Sequence, residues 1–156
     1  MLKTNVIRLL EAAGIAPDVR EYETPEGFTD AVDMAARLGL EPERVFKTLV
    51  AETPEHEHCV FVIPAPATLH LKKAARAAGH KKVELIPLKQ LFPLTGYVHG
   101  GCSPVGMKKA FPTYLDETAI LYDEIFVSGG RIGLSVGVAP ETLAGYLGAE
   151  FADLID

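Results

Sequence analysis

Apolar residues recur at helical spacing at the start of the chain, where Val6, Leu9, Leu10 and Ala13 fall on one stripe. Thr4 or Asn5 is placed to cap this first helix and Gly14 to end it. Residues 15–23 read as a short strand carrying Tyr22, and Pro25, Glu26 and Gly27 as a turn. Thr29 is then placed to cap a second helix with Val32, Ala35, Ala36 and Leu38 on its buried stripe, and Glu41-Pro42 opens the next unit. Two apolar runs, 45–51 and 59–65, flank an acidic, histidine-bearing turn and predict a β-hairpin. A third helix is expected over 69–78, a strand over 83–86, a helical turn over 88–92 and a strand over 96–99. Further short strands are expected over 113–115, 119–122, 125–128 and 134–138, and a last helix from Pro140 to a closing Gly148.

Short strands outnumber helices, and no regular βαβ alternation appears. The expected class is therefore mixed α/β, a curved, barrel-like mixed β-sheet surrounded by helices. At 156 residues the chain has the length of one ordinary domain, so a single domain over 1–156 is expected. No stretch approaches the ~20 apolar residues that cross a bilayer. Residues 1–20 carry Glu11, Asp18 and several basic side chains, unlike a signal peptide. Two cysteines, Cys59 and Cys102, make no disulfide framework, so a reducing cytoplasm is the expected compartment.

The net charge of −6 argues against sequence-independent binding to nucleic acid, DNA included, but its distribution is uneven. Between Lys72 and Lys109 eight basic residues face one acid, Glu84, which gives +7 there and −13 elsewhere. Either this is a solvated face with lysines guarding strand edges, or it is a local footprint for a polyanion on an acidic body.

The segment from Tyr97 to Lys109 is rich in glycine, with Gly100, Gly101 and Gly106 around Ser103-Pro104, and a second such loop runs from Ser128 through Gly129 and Gly130 to Arg131. Glycines let backbone N–H groups approach a ligand unobstructed, and such turns favour anions. Lys47 lies in the run Val45-Phe46-Lys47-Thr48-Leu49-Val50. Alternation puts it on a face with Val45 and Leu49, while Phe46, Thr48 and Val50 take the other. With apolar neighbours on both faces, such a lysine calls for an anionic or carbonyl partner. The two loops and Lys47 together suggest one anion-reading cleft.

Other motifs fit their chemistry less well. Gly133-Leu134-Ser135-Val136-Gly137 spells the nucleophile elbow of α/β hydrolases, but all five histidines precede Ser135. Gly101 to Lys108 resembles a phosphate-binding loop, yet Met107 intervenes before the lysine and no hydroxyl follows it. His56, His58 and Cys59 look like metal ligands, but no second cluster stands at zinc-site spacing, so no metal is expected. Cys102, inside the first glycine loop, is a candidate nucleophile without a recognisable base.

The residues Val45-Phe46-Lys47-Thr48-Leu49, the stretch from Gly96 to Gly106 and the stretch from Val127 to Leu134 resemble, in that order, the motifs of the YbaK/EbsC family of free-standing prolyl-tRNA editing domains. The resemblance runs from the first helix to the closing residues 148–153. It implies a trans-editing hydrolase that removes cysteine from mischarged tRNA(Pro), without cofactor, with prolyl-tRNA synthetase as a partner. It implies that Lys47 is the key active-site residue. Gly100, Gly101, Ser103, Pro104 and Gly106 would line the pocket for the aminoacyl-adenosine end, with Gly101 in the turn that holds the oxyanion. By the same resemblance Tyr22, Phe28 and Thr48 border that pocket, and Ser128, Gly129, Gly130 and Arg131 form the second loop. The substrate's own thiol is the implied nucleophile. The chain departs from the family where Ile132 follows Arg131 in place of a second basic residue, and at Ser135, which is acidic in some members. Removal of alanine or another small residue, or a tRNA- or synthetase-binding module without turnover, are the competing readings.

Overall fold

The computed structural model describes residues 3–24 and 30–156; Phe28 and the expected cap Thr29 lie outside them. Helix α1 (Asn5–Ala12) is capped by Thr4, whose hydroxyl accepts from the Ile7 N–H, and it buries Val6, Ile7 and Leu10. Strand β1 (Asp18–Glu21) is shorter than expected and stops before Tyr22. Helix α2 (Ala31–Leu38) is capped by Asp30, whose carboxylate accepts from the Asp33 N–H. Its buried residues are Met34 and Ala35, whereas Val32 is 41% exposed, so the expected stripe is rotated. The polar Asp33 and Arg37 form an i,i+4 ion pair that fixes the outward face instead.

The expected hairpin is present as β2 (Phe46–Glu52) and β3 (His58–Pro64), with Lys47 opposite Ile63 and Thr48 opposite Val62. Both faces of the hairpin are covered, which is why its strands read as continuous apolar runs. Val50, Val60 and Val62 enter the main core with α1, while Ala51, Cys59, Phe61 and Ile63 pack with Ala74 and Ala75 of α3 (Leu71–Ala78). Val45 and Ala65 belong to a third cluster, with Met34 and Ala35 of α2. Lys47 thus lies on β2 between the part covered by α2 and the part covered by α3.

Strands β4 (Glu84–Leu85), β5 (Thr113–Asp116) and β8 (Glu150–Ala152) complete a mixed five-stranded sheet in the order β4-β2-β3-β5-β8, parallel at β3-β5 and β5-β8. Strands β6 (Ile125–Ser128) and β7 (Leu134–Val138) form with β1 an antiparallel sheet in the order β1-β7-β6. A parallel bridge between Val45 and Phe126 joins the two sheets. The class is the mixed α/β one expected, with its two sheets joined at this bridge.

Three details differ from expectation. Residues 96–99 form no strand: Gly96 closes the short helix α4 (Leu91–Thr95) at φ +84°, and the chain turns at once into the first glycine loop. Residues 117–121 form a 3-10 turn because the Asp116 carboxylate accepts from the Thr118 N–H and hydroxyl. Strand β8 follows the last helix α5 (Pro140–Leu147) and is too short to show alternation. No helix among the described residues is long and apolar enough to cross a membrane.

Candidate active site

Strand β4 pairs with β2 only at Ala51 and Glu52, and the Ile86 N–H adds a bond to the Val50 carbonyl. From Phe46 to Leu49 that edge of β2 has no strand partner among the described residues, down to the Val45 bridge. A cavity of about 360 Å³ occupies the gap. Its walls are Phe46, Lys47, Thr48 and Leu49 of β2, Asp30 to Val32 and Met34 at the start of α2, Leu91 of α4, and His99, Gly100 and Cys102 of the first glycine loop. Tyr22, Ala65 and Ser128 complete the lining.

Five of the expected site residues therefore meet in one place: Tyr22, Lys47, Thr48, Gly100 and Ser128. Lys47 is half-buried, and burial lowers its ammonium from the ordinary lysine value while the Asp30 carboxylate acts the other way. None of the ion pairs among the described residues involves Lys47. Thr48 adds a second unanswered group, a buried hydroxyl with no hydrogen-bond partner. Consecutive on β2, the two side chains leave opposite faces of the strand, and both residues line the cavity at its edge.

The other expected residues frame the cavity without lining it. Gly101 donates its N–H to the Val98 carbonyl at 2.9 Å, so that donor is committed to a turn. Neither Gly100 nor Cys102 has its N–H engaged by another described residue. The Ser103 hydroxyl is fully buried and accepts from the Val105 N–H at 3.2 Å. Pro104 follows it in the same buried turn. Gly106, at φ +76°, packs on Leu9, Asn5 and the Tyr97 hydroxyl, each of which an added Cβ would crowd. Tyr97 donates to the Val105 carbonyl, and burial pushes its phenol up to about 12.

The second loop is held by α1. The Thr4 hydroxyl donates to the Gly129 carbonyl at 2.7 Å, and a Cβ on Gly130 would sit 2.9 Å from Val6. The Ser128 hydroxyl accepts from the Gly130 N–H, and Gly101 packs directly on the backbone of Arg131 and Ile132. Arg131 itself is outside the cavity, 4.0 Å from Glu21.

No activated side-chain nucleophile faces this space among the described residues. Burial raises the Cys102 thiol to about 12, outweighing its contact with Thr95, so it stays protonated at neutral pH. Ser135 is fully buried in β7 and donates to the Val127 carbonyl, far from the strand-turn-helix context of a hydrolase elbow. In the hairpin turn, His56 and His58 both lean on Glu52, at 2.5 and 3.9 Å, and Cys59 is buried in the core. Sequence reasoning missed Asp30, His99 and Leu91. Asp30 carries an N-cap signal, and His99 directly precedes the glycine pair.

Among the described residues the arrangement suits an anionic or ester-bearing ligand: a lysine in no ion pair, a hydroxyl without a hydrogen-bond partner and two backbone N–H groups not engaged, with no activated nucleophile. Residues 25–146 match the model of the aminoacyl-tRNA editing domain, and the chain belongs to that family. It is 43% identical over 97% of its length, and 93% of the relative's, to EbsC of Enterococcus faecalis, provisionally named a Cys-tRNA(Pro)/Cys-tRNA(Cys) deacylase. A crystal structure described, provisionally, as a trans-editing enzyme for prolyl tRNA synthetase superposes with a TM-score of 0.85 at 28% identity, covering 99% of both chains. The hypothetical protein APE2540 shares the fold, with a TM-score of 0.90 at 24% identity over 98% of this chain and 100% of its own.

Proposed function

We propose that this chain, acting as one editing domain over residues 1–156, deacylates Cys-tRNA(Pro) in trans and uses the substrate's own thiol as nucleophile. The observation that carries the reading is the cavity at the edge of β2, where Lys47, in no ion pair among the described residues, stands among described groups none of which is an activated nucleophile. An aminoacyl ester is already activated, so a site that orients it and stabilises the oxyanion suffices.

In this reading the Lys47 ammonium pairs with an oxygen of the terminal ribose or its phosphate, and Thr48 borders the ester end. The N–H groups of Gly100 and Cys102 face the carbonyl oxygen, the part first assigned to Gly101. Tyr22 and Ser128 border the adenosine; Ser103, Pro104, Gly106, Gly129 and Gly130 hold the two loops in place, and Arg131 stands at the rim. Phe28 belongs to the same border by resemblance. The cysteinyl thiolate attacks its own carbonyl carbon, a C–S bond forms and the ester C–O bond breaks. The ribose oxygen takes a proton and leaves as a hydroxyl, and cysteine leaves as a thiolactone that water opens.

Prolyl-tRNA synthetase is the partner this reading assigns, since the domain has little surface with which to read a whole tRNA. Its compartment is the cytoplasm. The test is deacylation of Cys-tRNA(Pro), Ala-tRNA(Pro) and Pro-tRNA(Pro) by the protein and by Lys47→Ala. Lys47-dependent loss of cysteine alone, with thiolactone released, is expected. Equal turnover of alanine would make the site a general small-residue editor, and no turnover of any substrate would make the protein a binding module.

A further inference from the structure

The segment 85–115 contains none of the chain's acidic residues, although the chain carries 21. It leads through α4 into the first glycine loop, so its inner side is the cavity wall at Leu91, His99 and Gly100. Its outer side carries Leu88, Phe92 and Val98, which are 65%, 55% and 49% exposed. Leu91 and Phe92 are consecutive on α4, so one helix turns Leu91 to the cavity and Phe92 to the outside. Lys108 is fastened to the same helix, its N–H donating to the Thr95 carbonyl at 3.1 Å, and its ammonium stands 5.3 Å from the Phe92 ring centroid.

The basic patch seen in the sequence is thereby divided. Lys73 is tied to Asp153 at 3.0 Å and Lys82 to Glu84 at 3.1 Å, so these charges are answered locally. Lys89, Lys108 and Lys109 take part in no ion pair among the described residues. An exposed aromatic ring with the Lys108 ammonium beside it and Lys109 next in the chain, on a helix whose Leu91 lines the cavity, suits single-stranded nucleic acid: bases stack on the ring and phosphates meet the cations. A protein partner would be served by the apolar side chains, but it gives no account of three unanswered positive charges in an acid-free stretch.

We propose that Phe92, Lys108 and Lys109 form a ledge that binds the single-stranded 3′ end of the RNA, with a base next to the terminal adenosine stacked on Phe92 and its phosphates on the lysines. This rests on the reading of the cavity as the place of the aminoacyl-adenosine. The ledge contributes affinity for the RNA and leaves the chemical step alone.

Two assays test it, with Phe92→Ala, Phe92→Tyr and a Lys108→Gln/Lys109→Gln double variant. The first is binding of the RNA trinucleotide cytidine-cytidine-adenosine across a salt series. The second is turnover of Cys-tRNA(Pro) beside that of cysteinyl-adenosine, which lacks the preceding nucleotides. Phe92→Ala is expected to weaken trinucleotide binding about tenfold, the effect of one lost base–aromatic stack. It should raise KM for the charged tRNA by a similar factor with kcat unchanged, and leave cysteinyl-adenosine turnover as it was. Phe92→Tyr should restore binding, and the double variant should flatten the salt dependence by about 0.7 per lysine. Unchanged trinucleotide binding overturns the proposal, as does an equal loss on both substrates. So does a Phe92→Ala defect confined to binding of prolyl-tRNA synthetase without RNA. If the unaltered protein hydrolyses neither substrate, the proposed function fails, and the trinucleotide titration still decides the ledge.

Discussion

Alanine at Gly101 separates two accounts of the first glycine loop, one in which Gly101 supplies an oxyanion donor and one in which it lets two loops touch. A Cβ on Gly101 would lie 3.1 Å from the Cα and carbonyl carbon of Arg131 and 3.1 Å from the Ile132 nitrogen. All three are backbone atoms, so no side chain can rotate aside. Ordinary contact begins near 3.4 Å, and the loops must therefore part by roughly 0.3 Å. Overpacking a fitted site costs about 1–3 kcal/mol, and so small a displacement belongs at the lower end. For a chain of this length, about 1 kcal/mol lowers Tm by about 2–4 °C.

The same displacement moves the N–H groups of Gly100 and Cys102 relative to Lys47 across the cavity. A misplacement of 1 Å costs on the order of 100-fold in rate, so a third of that distance should cost about fivefold in kcat/KM. Alanine keeps the Gly101 N–H, so an account in which only that donor matters predicts full activity. Thermal unfolding and kcat/KM on Cys-tRNA(Pro), measured on Gly101→Ala, decide the matter. Unaltered Tm and unaltered activity would refute the contact between the loops. Inactivation by several hundredfold with an unchanged Tm would refute both accounts, because the added methyl would then act on the substrate and not on the second loop.

Lys47→Met should reduce kcat/KM by about 10²–10³-fold, the range for removing one preorganised electrostatic group. Burial lowers the folded-state value of Lys47, so its charge opposes folding below that value, and the opposition fades as pH rises from the folded value toward the unfolded one. Lys47→Met should therefore raise Tm most at neutral and acid pH, and the unaltered enzyme should lose activity at a pH below that of an ordinary lysine. Thermal scans and a pH–rate profile check both, and an alkaline limb at or above the ordinary lysine value would contradict the assignment. Cys102→Ala should retain activity within about threefold, because its thiol is protonated at neutral pH; abolition would make it a nucleophile. Tyr97→Phe leaves the Val105 carbonyl without its donor and should destabilise by about 1–3 kcal/mol in denaturant unfolding, with little direct effect on chemistry. Gly129→Ala should cost at least as much, since its Cβ would meet Leu134 at 2.7 Å and Leu134 is fully buried.

The hairpin was legible because both of its faces are buried, which leaves long apolar runs in which one lysine stands out. Lys47 was legible for the same reason. Helix α2 was harder to orient: Val32 looks like a core residue by type, but it lines the mouth of a cavity, where an apolar side chain is half-exposed by function. Tyr97 and Val98 favour a strand by type, yet Gly96 in the left-handed region ends a helix there and no strand forms over 96–99. Strand β8 has three residues and exists only through its parallel partner β5, a long-range contact that no local pattern carries.

The glycine loops were legible as loops but not in their division of labour, and the reason is physical. A glycine is required both where a backbone must meet a ligand and where two backbones must meet each other, and sequence records the two alike. Here Gly101, Gly106, Gly129 and Gly130 are used for contact between protein segments, while Gly100 alone of the first loop's glycines reaches the cavity wall. The cavity itself exists because β4 leaves β2 after two paired residues and the Val45 bridge closes the gap at the other end. That opening leaves Lys47, inside a strand, in no ion pair among the described residues. In the function proposed above, a bound ester and its ribose would supply the partner Lys47 lacks, and the same open edge that exposes Lys47 explains why the fold tolerates it.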